Sequence, residues 1–301
     1  MSTGLSSRSG YAVTTQGPTL FRRAISLTVG STLLSGLDCA FEVKKTIKKE
    51  PNTCGIKLFN LSASTRKSLE AATVPSASTA STGGSPVLVP CILKAGYVNA
   101  LSQIFSGGLR TAQTMQDGPT QITELNAGDG DNIGQARLTI ALGKGSQNGQ
   151  ALRTILTALG VGQGNLSAAL ALLSANPAIA QRFTLGACLK GGAADLMTNF
   201  CRGAGFEWSI QDGALQITAL GQPVAGQSYV ISASSGMEGS PSLDQKGILS
   251  VKTRLIPGIA PGVVIVVNGK YISGNYRVIS CIYKGSTRDT DWGIEIEGKT
   301  F

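Results

Sequence analysis

The stretch WGIEIE at residues 292–297 decides how the C-terminal part of the chain is interpreted. Its large apolar side chains fall at every second position and its two glutamates fall between them, which is the period of a half-buried β-strand. Near the other end of the chain, apolar and hydroxyl residues alternate in the same way through residues 25–29. The sequence therefore predicts β-structure at both ends.

Between these ends the apolar period changes to that of a helix. Leu152, Ile155, Leu156 and Leu159 fall at positions i, i+3, i+4 and i+7, and Gly160 follows where a helix ends. Two further helices are predicted in the middle of the chain, over 165–174 and 193–202. The fold class is therefore mainly β with a helical insert (α+β). The N-terminal strands suit a small barrel or sandwich, and the C-terminal strands suit a small β-barrel.

Composition shifts divide the chain into segments. Serine, threonine and glycine dominate the N-terminus, and a stretch of Pro, Ser, Thr, Ala and Gly without charge interrupts the first β-region. We predict a flexible N-terminal tail over 1–19, an N-terminal β-barrel over 20–145 with a mobile loop at 73–86, a helical insert over 146–204, and a C-terminal β-barrel over 205–301.

The composition argues against an enzyme. The 301 residues include no histidine, which removes the commonest general base and the commonest metal ligand. The six cysteines form no CxxC motif and are expected to be buried, reduced thiols. We expect no catalytic, cofactor-binding or metal-binding residues, and no cofactor.

Four short patterns resemble catalytic or ligand-binding motifs, but each lacks the partners that its chemistry needs. They are the SxxK pair Ser64 and Lys67, the calcium-loop start at Asp129 and Asp131, the glycines Gly160, Gly162 and Gly164, and the carboxylates Asp195 and Glu207.

The net charge of +9 is densest at Lys44, Lys45, Lys48 and Lys49. On a strand these lysines divide between two faces, and no aromatic residues interleave with them to stack bases. A solvated hairpin tip or a protein contact is therefore favoured over a nucleic-acid patch. No apolar run reaches the roughly 18 residues of a membrane span, so we expect no membrane-spanning segment.

Short segments follow one another along the chain in a characteristic order. They are residues 25–30, 51–53, 58–62, 95–97, 104–107 and 129–130, and then residues 208–210, 236–241, 255–262, 274–278 and 291–292. In this order and spacing the chain, from about residue 20 to 298, resembles the baseplate hub proteins of contractile phage tails, which are related in fold to the spike base of type VI secretion systems.

The resemblance implies a structural protein with two tube-like barrels. Three copies would form a homotrimer that joins the hexameric tail tube to the threefold central spike and encloses the DNA channel. The implied partners are further copies of the chain, a tail tube or tube adaptor protein, the central spike protein, and baseplate wedge or sheath-initiator proteins. Viral DNA would meet the chain only in transit, so the four lysines are expected mostly on the outer face. The location would be the virion baseplate, after assembly in the host cytoplasm.

Three other functions stay open at this point. A tail tube adaptor or initiator ring protein would share the barrel and assemble as a hexamer. A cell-wall-degrading tail enzyme would turn over peptidoglycan. A nucleic-acid-binding protein would bind DNA with a steep salt dependence.

Overall fold

A computed structural model of the chain describes residues 12–14, 22–73, 88–130, 133, 136–175, 182–183 and 185–301. The tail predicted over 1–19 and the loop predicted over 73–86 lie outside the described residues, except for residues 12–14 and 73.

Strands dominate both ends of the chain, and helices are concentrated in its middle. The N-terminal strands are β1 (Ala12–Thr14), β2 (Arg23–Val29), β3 (Thr32–Ser35), β4 (Cys39–Thr46), β5 (Thr53–Phe59), β6 (Val89–Tyr97), β7 (Ala100–Asp117) and β8 (Thr120–Gly128). The middle strands are β9 (Arg137–Leu142), β10 (Ser146–Gln147), β11 (Arg182–Phe183), β12 (Ala187–Gly192), β13 (Phe206–Gln211) and β14 (Ala214–Ala219). The C-terminal strands are β15 (Gln227–Ser232), β16 (Met237–Leu243), β17 (Ile248–Arg254), β18 (Val264–Asn268), β19 (Ser273–Ser286) and β20 (Trp292–Lys299). The helices are α1 (Ala63–Ala71), α2 (Asn148–Leu159), α3 (Leu166–Ala175) and α4 (Ala193–Gly203).

Local chemistry explains several of these boundaries. The Ser62 side chain accepts a hydrogen bond from the Thr65 N–H and caps α1, as its position before the helix predicts. Gly160 adopts the left-handed conformation, with φ of 66°, and ends α2. Asp212 and Gly213 both have positive φ, which gives the tight turn of the predicted hairpin β13–β14.

Fourteen strands from both ends of the chain form one sheet. Its main path runs β1-β15-β18-β19-β4-β5-β8-β7-β6-β2-β3, and β20, β17 and β16 branch from β19. The mainly-β fold with helices is confirmed. Within the described residues the hydrogen bonds do not close this sheet into barrels, so the two predicted barrels stay a proposal.

Two hydrophobic cores pack on these elements. The first core contains side chains from both the N-terminal and the C-terminal strands, together with Leu69 of α1. The second core contains helices α2, α3 and α4 packed on β9, β13 and β14, with β12 side chains at its margin. Hairpin β13–β14, which the sequence analysis assigned to the C-terminal barrel, therefore packs with the helices.

Candidate functional site

A ribbon of eight antiparallel strands runs through the fourteen-stranded sheet. In spatial order the strands are β7, β8, β5, β4, β19, β20, β17 and β16. The middle of the ribbon is the β4–β19 pair, which joins the two ends of the chain through seven register pairs from Thr46↔Ser280 to Ala40↔Ser286. The ribbon is therefore continuous across the point where its two halves meet.

The two halves of the ribbon have the same arrangement of strands. Strands β7, β8, β5 and β4 of the N-terminal half correspond in pairing to β19, β20, β17 and β16 of the C-terminal half. Cys54 pairs with Val43 on one side and Ala127 on the other, and Leu249 pairs with Leu243 and Gly298 in the same way. The register thus makes Val43 and Leu243 equivalent positions.

A shared irregularity supports this equivalence. The pairing of β7 with β8 shifts by one residue between Leu109 and Thr111, and the pairing of β19 with β20 shifts by one residue between Val278 and Ser280. A bulge is a specific local feature that bends a strand and increases its twist. The bulge occurs at equivalent positions of the long strands β7 and β19. The two halves are therefore structural repeats, although no repeat is visible in the sequence.

One face of the ribbon is exposed and nearly neutral. The paired registers place six acidic and six basic solvent-accessible side chains on this face, although the whole chain carries +9. Four ion pairs lie along it, with nitrogen–oxygen distances from 2.6 to 3.4 Å. The charged residues are Glu42, Asp117, Glu124, Glu238, Glu295 and Glu297, and Lys44, Lys57, Lys252, Arg254, Lys284 and Lys299.

The opposite face of the ribbon is tied to the second core by a buried polar cluster. Lys45 Nζ donates to both Asp212 carboxylate oxygens at 2.8 Å, and its side chain is 3% exposed. Asn52 donates from its backbone N–H to Asp129 Oδ1 at 2.7 Å and from Nδ2 to Asp129 Oδ2 at 2.8 Å. Asn52 Nδ2 also donates to the Ile210 carbonyl at 2.9 Å. The turn of hairpin β13–β14 is therefore locked against the ends of β4 and β8.

Burial sets the protonation of this cluster. It raises the pKa of the Asp129 carboxyl to about 6, even though the hydrogen bonds donated by Asn52 act to lower that pKa. Asp212 donates its backbone N–H to Asp129 Oδ2 at 3.0 Å and accepts the Ser106 N–H at 3.0 Å.

A second ion pair joins the same hairpin to the ribbon. Arg277 Nη1 lies 2.5 Å from Glu207 Oε1, and the arginine side chain is 5% exposed. Glu207 Oε1 also accepts the Gly221 N–H at 3.1 Å. Glu207, one of the two carboxylates considered for acid–base chemistry, is thus committed to a structural contact.

The tip of the β19–β20 hairpin rests on the N-terminal strands. Arg23 donates from Nη1 to the carbonyls of Ser286 and Asp289, and from Nη2 to the carbonyl of Thr290. The Arg288 guanidinium binds Asp38 at 3.1 Å and stacks over the Phe59 ring at 4.1 Å. These side chains hold the tip across the joint between the two halves. The contacts at this tip therefore join residues from both ends of the chain.

The four clustered lysines do not form one surface. Lys44 lies on the exposed ribbon face beside Glu42, whereas Lys45 lies on the other face in the buried cluster. Lys49 contacts Asp195 at 3.7 Å. Alternation along the strand placed Lys44 and Lys45 on opposite faces correctly, but Lys45 lies neither at a solvated hairpin tip nor in a contact with another protein, because it is buried within the chain. Its Asp212 partner is 167 residues away and could not be inferred from local pattern.

The other singled-out residues occupy separate places. Ser64 and Lys67 lie on helix α1, and Gly162 forms a bridge with Ala214 that docks the loop after α2 onto β14. Asp195 and Glu207 bind different basic residues, Lys49 and Arg277. Asp131 lies outside the described residues.

The cysteines are free thiols, and only Cys188 is exposed. Burial raises the pKa of Cys39, Cys91, Cys201 and Cys281 to about 12, which keeps these thiols protonated and unreactive. In the described part of the chain, no three acidic or cysteine side chains gather as metal ligands. No helix among the described residues is long and apolar enough to cross a membrane.

Solved structures with a similar fold include two tail proteins and a type VI secretion component. A tail protein from Neisseria meningitidis matches 93% of the chain over 97% of its own length, with a TM-score of 0.60 and 11% identity. The 43 kDa tail protein of prophage MuSo2 from Shewanella oneidensis matches 92% of the chain over 96% of its own length, with a TM-score of 0.60 and 9% identity. The c3393 protein of E. coli, a type VI secretion component, matches 91% of the chain over 76% of its own length, with a TM-score of 0.56 and 9% identity.

The fold therefore belongs to the class of phage tail and type VI secretion proteins. No sequence among the curated proteins matches the chain. A family profile described as baseplate hub gp41 matches residues 20–298, and the chain belongs to this baseplate hub family. This confirms the resemblance found in the sequence and makes the chain a tail baseplate protein of the virion.

Proposed function

We propose that three copies of this chain form a hub ring that joins a hexameric tail tube to a threefold central spike. The observation that carries this proposal is the structural repeat of the ribbon. A ring of three chains contains six equivalent four-strand units, so the same ring meets a sixfold partner through its units and a threefold partner through its chains.

In this ring the exposed ribbon face lines the DNA channel, which puts Lys44 in the channel and not on the outer face that the resemblance led us to expect. A basic surface binds DNA by displacing counterions from the phosphates, and such binding would hold DNA in the channel. The near-neutral ribbon face avoids this attraction, because Lys44, Lys57, Lys252 and Lys284 each have a glutamate partner. Viral DNA is then a passing contact and not a bound ligand.

The barrels and their boundaries belong to the same proposal. One tube-like unit of the ring consists of one half of the ribbon together with the strands that lie beyond its longest strand in the sheet. The longest strand is β7 in the N-terminal half and β19 in the C-terminal half. Strands β6, β2 and β3 continue from β7, and β18, β15 and β1 continue from β19. The segments 20–145, 146–204 and 205–301 approximate these units and the insert between them, with hairpin β13–β14 packed on the insert.

The remaining partners follow from the place of a hub in the baseplate. A tube or tube adaptor protein would contact one side of the ring, and the central spike protein the other. Wedge or sheath-initiator proteins would contact its outside. We infer a non-enzymatic role, with assembly in the host cytoplasm.

The oligomeric state of the purified full chain tests the proposal. Light scattering coupled to size-exclusion chromatography is expected to give the mass of three chains of 30.9 kDa each. Electron microscopy of the same sample is expected to show six similar units around a channel. A hexamer with one unit of the ring per chain would instead support a tube adaptor or initiator.

The cell-wall-degrading alternative is tested by peptidoglycan turnover. Glu207 is engaged by Arg277 and by the Gly221 N–H, so we expect no turnover by the wild-type chain. Turnover that is abolished by Glu207→Gln, in a variant that remains folded by circular dichroism, would support the enzyme instead.

A further inference from the structure

We propose that the exposed face of the two-stranded sheet β9–β12 binds an acidic surface of another protein of the baseplate. The inference deepens the proposed function, on which it rests, by assigning an outer partner of the hub to one surface of the chain. The partner is identified by its chemistry. It presents carboxylates to unpaired basic side chains and an apolar side chain to an exposed leucine.

Most of the excess positive charge of the chain lies in residues 136–204, which contain helices α2, α3 and α4 and strands β9 to β12. These residues include six lysines and arginines but one acidic residue, Asp195. The rest of the chain holds the other 20 of the 26 basic residues and the other 16 of the 17 acidic residues. Residues 136–204 therefore carry +5 of the net charge of +9.

Strand pairing concentrates part of this charge on one face of β9–β12. Lys190 pairs with Thr139, and Arg137 lies two residues before Thr139 on the same face. The two basic side chains are therefore diagonal neighbours, with Cβ atoms about 7 Å apart. Apolar side chains that alternate with them contact the second core. Five exposed side chains form this β9–β12 face: Arg137, Thr139, Ala141, Cys188 and Lys190.

One end of the β9–β12 face carries a leucine that is almost fully exposed. Ala187 pairs with Leu142 at the last step of the ladder, and Leu185 and Lys144 each lie two residues beyond that pair. A Cβ added to Gly186 would lie 3.5 Å from the Lys144 nitrogen, so the two loops are in contact. Leu185 is 93% exposed and Lys144 is exposed. A partner finds an apolar contact and a charged contact together at this end.

The bases of this surface are unpaired. In the part of the chain that the structure describes, Arg137, Lys144 and Lys190 form no ion pair and no side-chain hydrogen bond. The lysines of the exposed ribbon face differ, because Lys44 and Lys57 each bind a glutamate. Like charges close together on one face repel each other, and carboxylates of a partner would relieve this repulsion.

One acidic side chain lies at the Arg137 end of the face. Asp195 Oδ2 would lie 3.2 Å from a Cβ added to Gly192, which pairs with Arg137. The Asp195 carboxylate contacts Lys49 at 3.7 Å. Because this carboxylate is shared with Lys49, it does not neutralise the bases of the β9–β12 face.

The position of the helical insert separates this surface from the proposed DNA channel. Asp212 of hairpin β13–β14 binds Lys45, which lies on the ribbon face opposite to the exposed one. A channel lined by the exposed ribbon face therefore leaves the insert on the outside of the ring. The outside is where the proposed hub meets other baseplate proteins.

The side chains of the surface favour a protein partner over a nucleic acid. Phe200 is the only aromatic side chain that the structure describes in residues 136–204, and it packs against the second core. No exposed aromatic ring among these described residues can therefore stack on a base. Leu185 offers nothing to a phosphate backbone, whereas an apolar side chain of a protein would remove it from water.

Thiol labelling tests whether the surface is covered in the particle. Cys188 lies in the β9–β12 face and is the only exposed cysteine, so a maleimide reports on this site alone. We expect its labelling rate to be at least about tenfold lower in purified baseplates than in the purified full chain. Lys67→Cys in a Cys188→Ser background, at an exposed site on α1, is the control for access of the reagent. Equal labelling of Cys188 in both samples would overturn the proposal.

Cross-linking identifies what covers the surface. A carbodiimide joins amines to carboxylates that are in contact. We expect it to link Lys144 and Lys190, in baseplates, to Asp or Glu residues of one other tail protein. Links only to a second copy of this chain, or formaldehyde links from these lysines to DNA, would overturn the acidic protein partner.

Charge reversal tests the contribution of the bases. We expect Lys144→Glu with Lys190→Glu to lower the amount of the cross-linked protein retained on baseplates at least about fivefold. Lys67→Glu with Lys94→Glu changes the net charge equally at exposed sites on α1 and β6, and should retain that protein like wild type. Equal losses in the two double variants would overturn the proposed face.

Failure of this proposal and failure of the hub give different results. A wild-type chain that stays monomeric or forms hexamers would overturn the hub ring. A trimer in which Cys188 is labelled equally in the purified chain and in baseplates would overturn the β9–β12 face and leave the hub.

Discussion

The Lys45 ammonium lies 2.8 Å from both carboxylate oxygens of Asp212, although 167 positions separate the two residues in the chain. The contact joins a central strand of the ribbon to the turn of hairpin β13–β14. Because the Lys45 side chain is only 3% exposed, Asp212 and not water is the partner of its ammonium group.

Removing the Asp212 charge should destabilise the fold. We expect Asp212→Asn to lower the free energy of unfolding by about 3 kcal/mol, because Lys45 is left buried without a carboxylate. Asparagine tolerates the positive φ of this position, so the turn itself is retained. Urea unfolding measures the change. Glu238→Gln, which breaks an exposed ion pair, should cost less than about 1 kcal/mol, and equal losses in the two variants would contradict the prediction.

Asp129 should make stability depend on pH. Its pKa is about 6 in the folded chain and about 3.8 when unperturbed, so the folded state binds the proton more strongly between these values. The contribution of Asp129 to stability is therefore full below about pH 4 and falls as the pH rises to about 6, by on the order of 2 kcal/mol. Urea unfolding at pH 4.5 and 7 should show this slope in wild type but not in Asp129→Asn. An identical slope in both proteins would refute the assignment.

Gly164 should not accept a side chain. Its φ is +50°, and an added Cβ would lie 1.7 Å from the Leu215 carbonyl oxygen. We expect Gly164→Ala to cost more than about 2 kcal/mol of unfolding free energy, because β14 or the loop must move. Gly143→Ala is the control, since no atom lies within 4 Å of its added Cβ, and it should change stability by less than about 1 kcal/mol. Thermal unfolding of the two variants compares them directly.

Arg23 should hold the β19–β20 tip in place. Its three hydrogen bonds to the carbonyls of Ser286, Asp289 and Thr290 are lost in Arg23→Ala. We expect faster amide hydrogen exchange at residues 287–291, with little change in β14, which Arg23 does not contact. Lys246→Ala, a change at another exposed turn, serves as the control. An unchanged exchange rate at residues 287–291 in Arg23→Ala would show that other contacts are enough to hold the tip in place.

The glutamates of the ribbon face should suppress DNA binding. In the assembled protein, Glu42→Gln with Glu295→Gln leaves Lys44 and Lys284 without their partners. We expect this variant to bind duplex DNA with an affinity that falls as salt rises, whereas wild type binds weakly. Fluorescence anisotropy with a labelled duplex measures the difference.

The control for that experiment changes the net charge equally at other sites. Glu70→Gln with Asp195→Asn removes two negative charges from α1 and α4, which are not strands of the ribbon, and it leaves Lys49 without its Asp195 partner. Equal DNA binding by the two double variants would mean that net charge, and not the ribbon face, governs the interaction.

The sequence predicted elements best where side chains alternate against one core. The strand over 292–297, the three middle helices and the Asp212–Gly213 turn all follow from local pattern and are confirmed. Strand β16 escaped prediction because Gly239 and Pro241 interrupt it and its side chains show no alternation. Tertiary pairing with β17 forms this strand despite its weak local preference.

The ribbon and its buried cluster required long-range information. Lys45 and Lys44 are identical in type and adjacent in sequence, yet one is buried and the other exposed. Alternation places Lys45 on the face of Phe41 and Val43, but only the distant partner Asp212 explains why a charged side chain is buried there. The repeat was invisible for a similar reason, because equivalent positions such as Val43 and Leu243 share a pairing pattern without a shared motif.

The bulges at Arg110 and Ile279 restrict how the chain can change in length. Each bulge adds one residue that has no partner on the neighbouring strand. The side chains that follow the bulge then alternate regularly between the core face and the exposed face. Deleting Arg110 or Ile279 itself would leave a regular strand with the later side chains on their present faces, because each is one residue in excess of the partner strand. Deleting a residue between a bulge and the hairpin tip would instead turn side chains of the long strand to the opposite face, carrying polar groups into the core and apolar groups into water. Insertions and deletions are therefore expected to be confined to the hairpin tips and connecting loops, while these two strands keep a fixed count from bulge to tip.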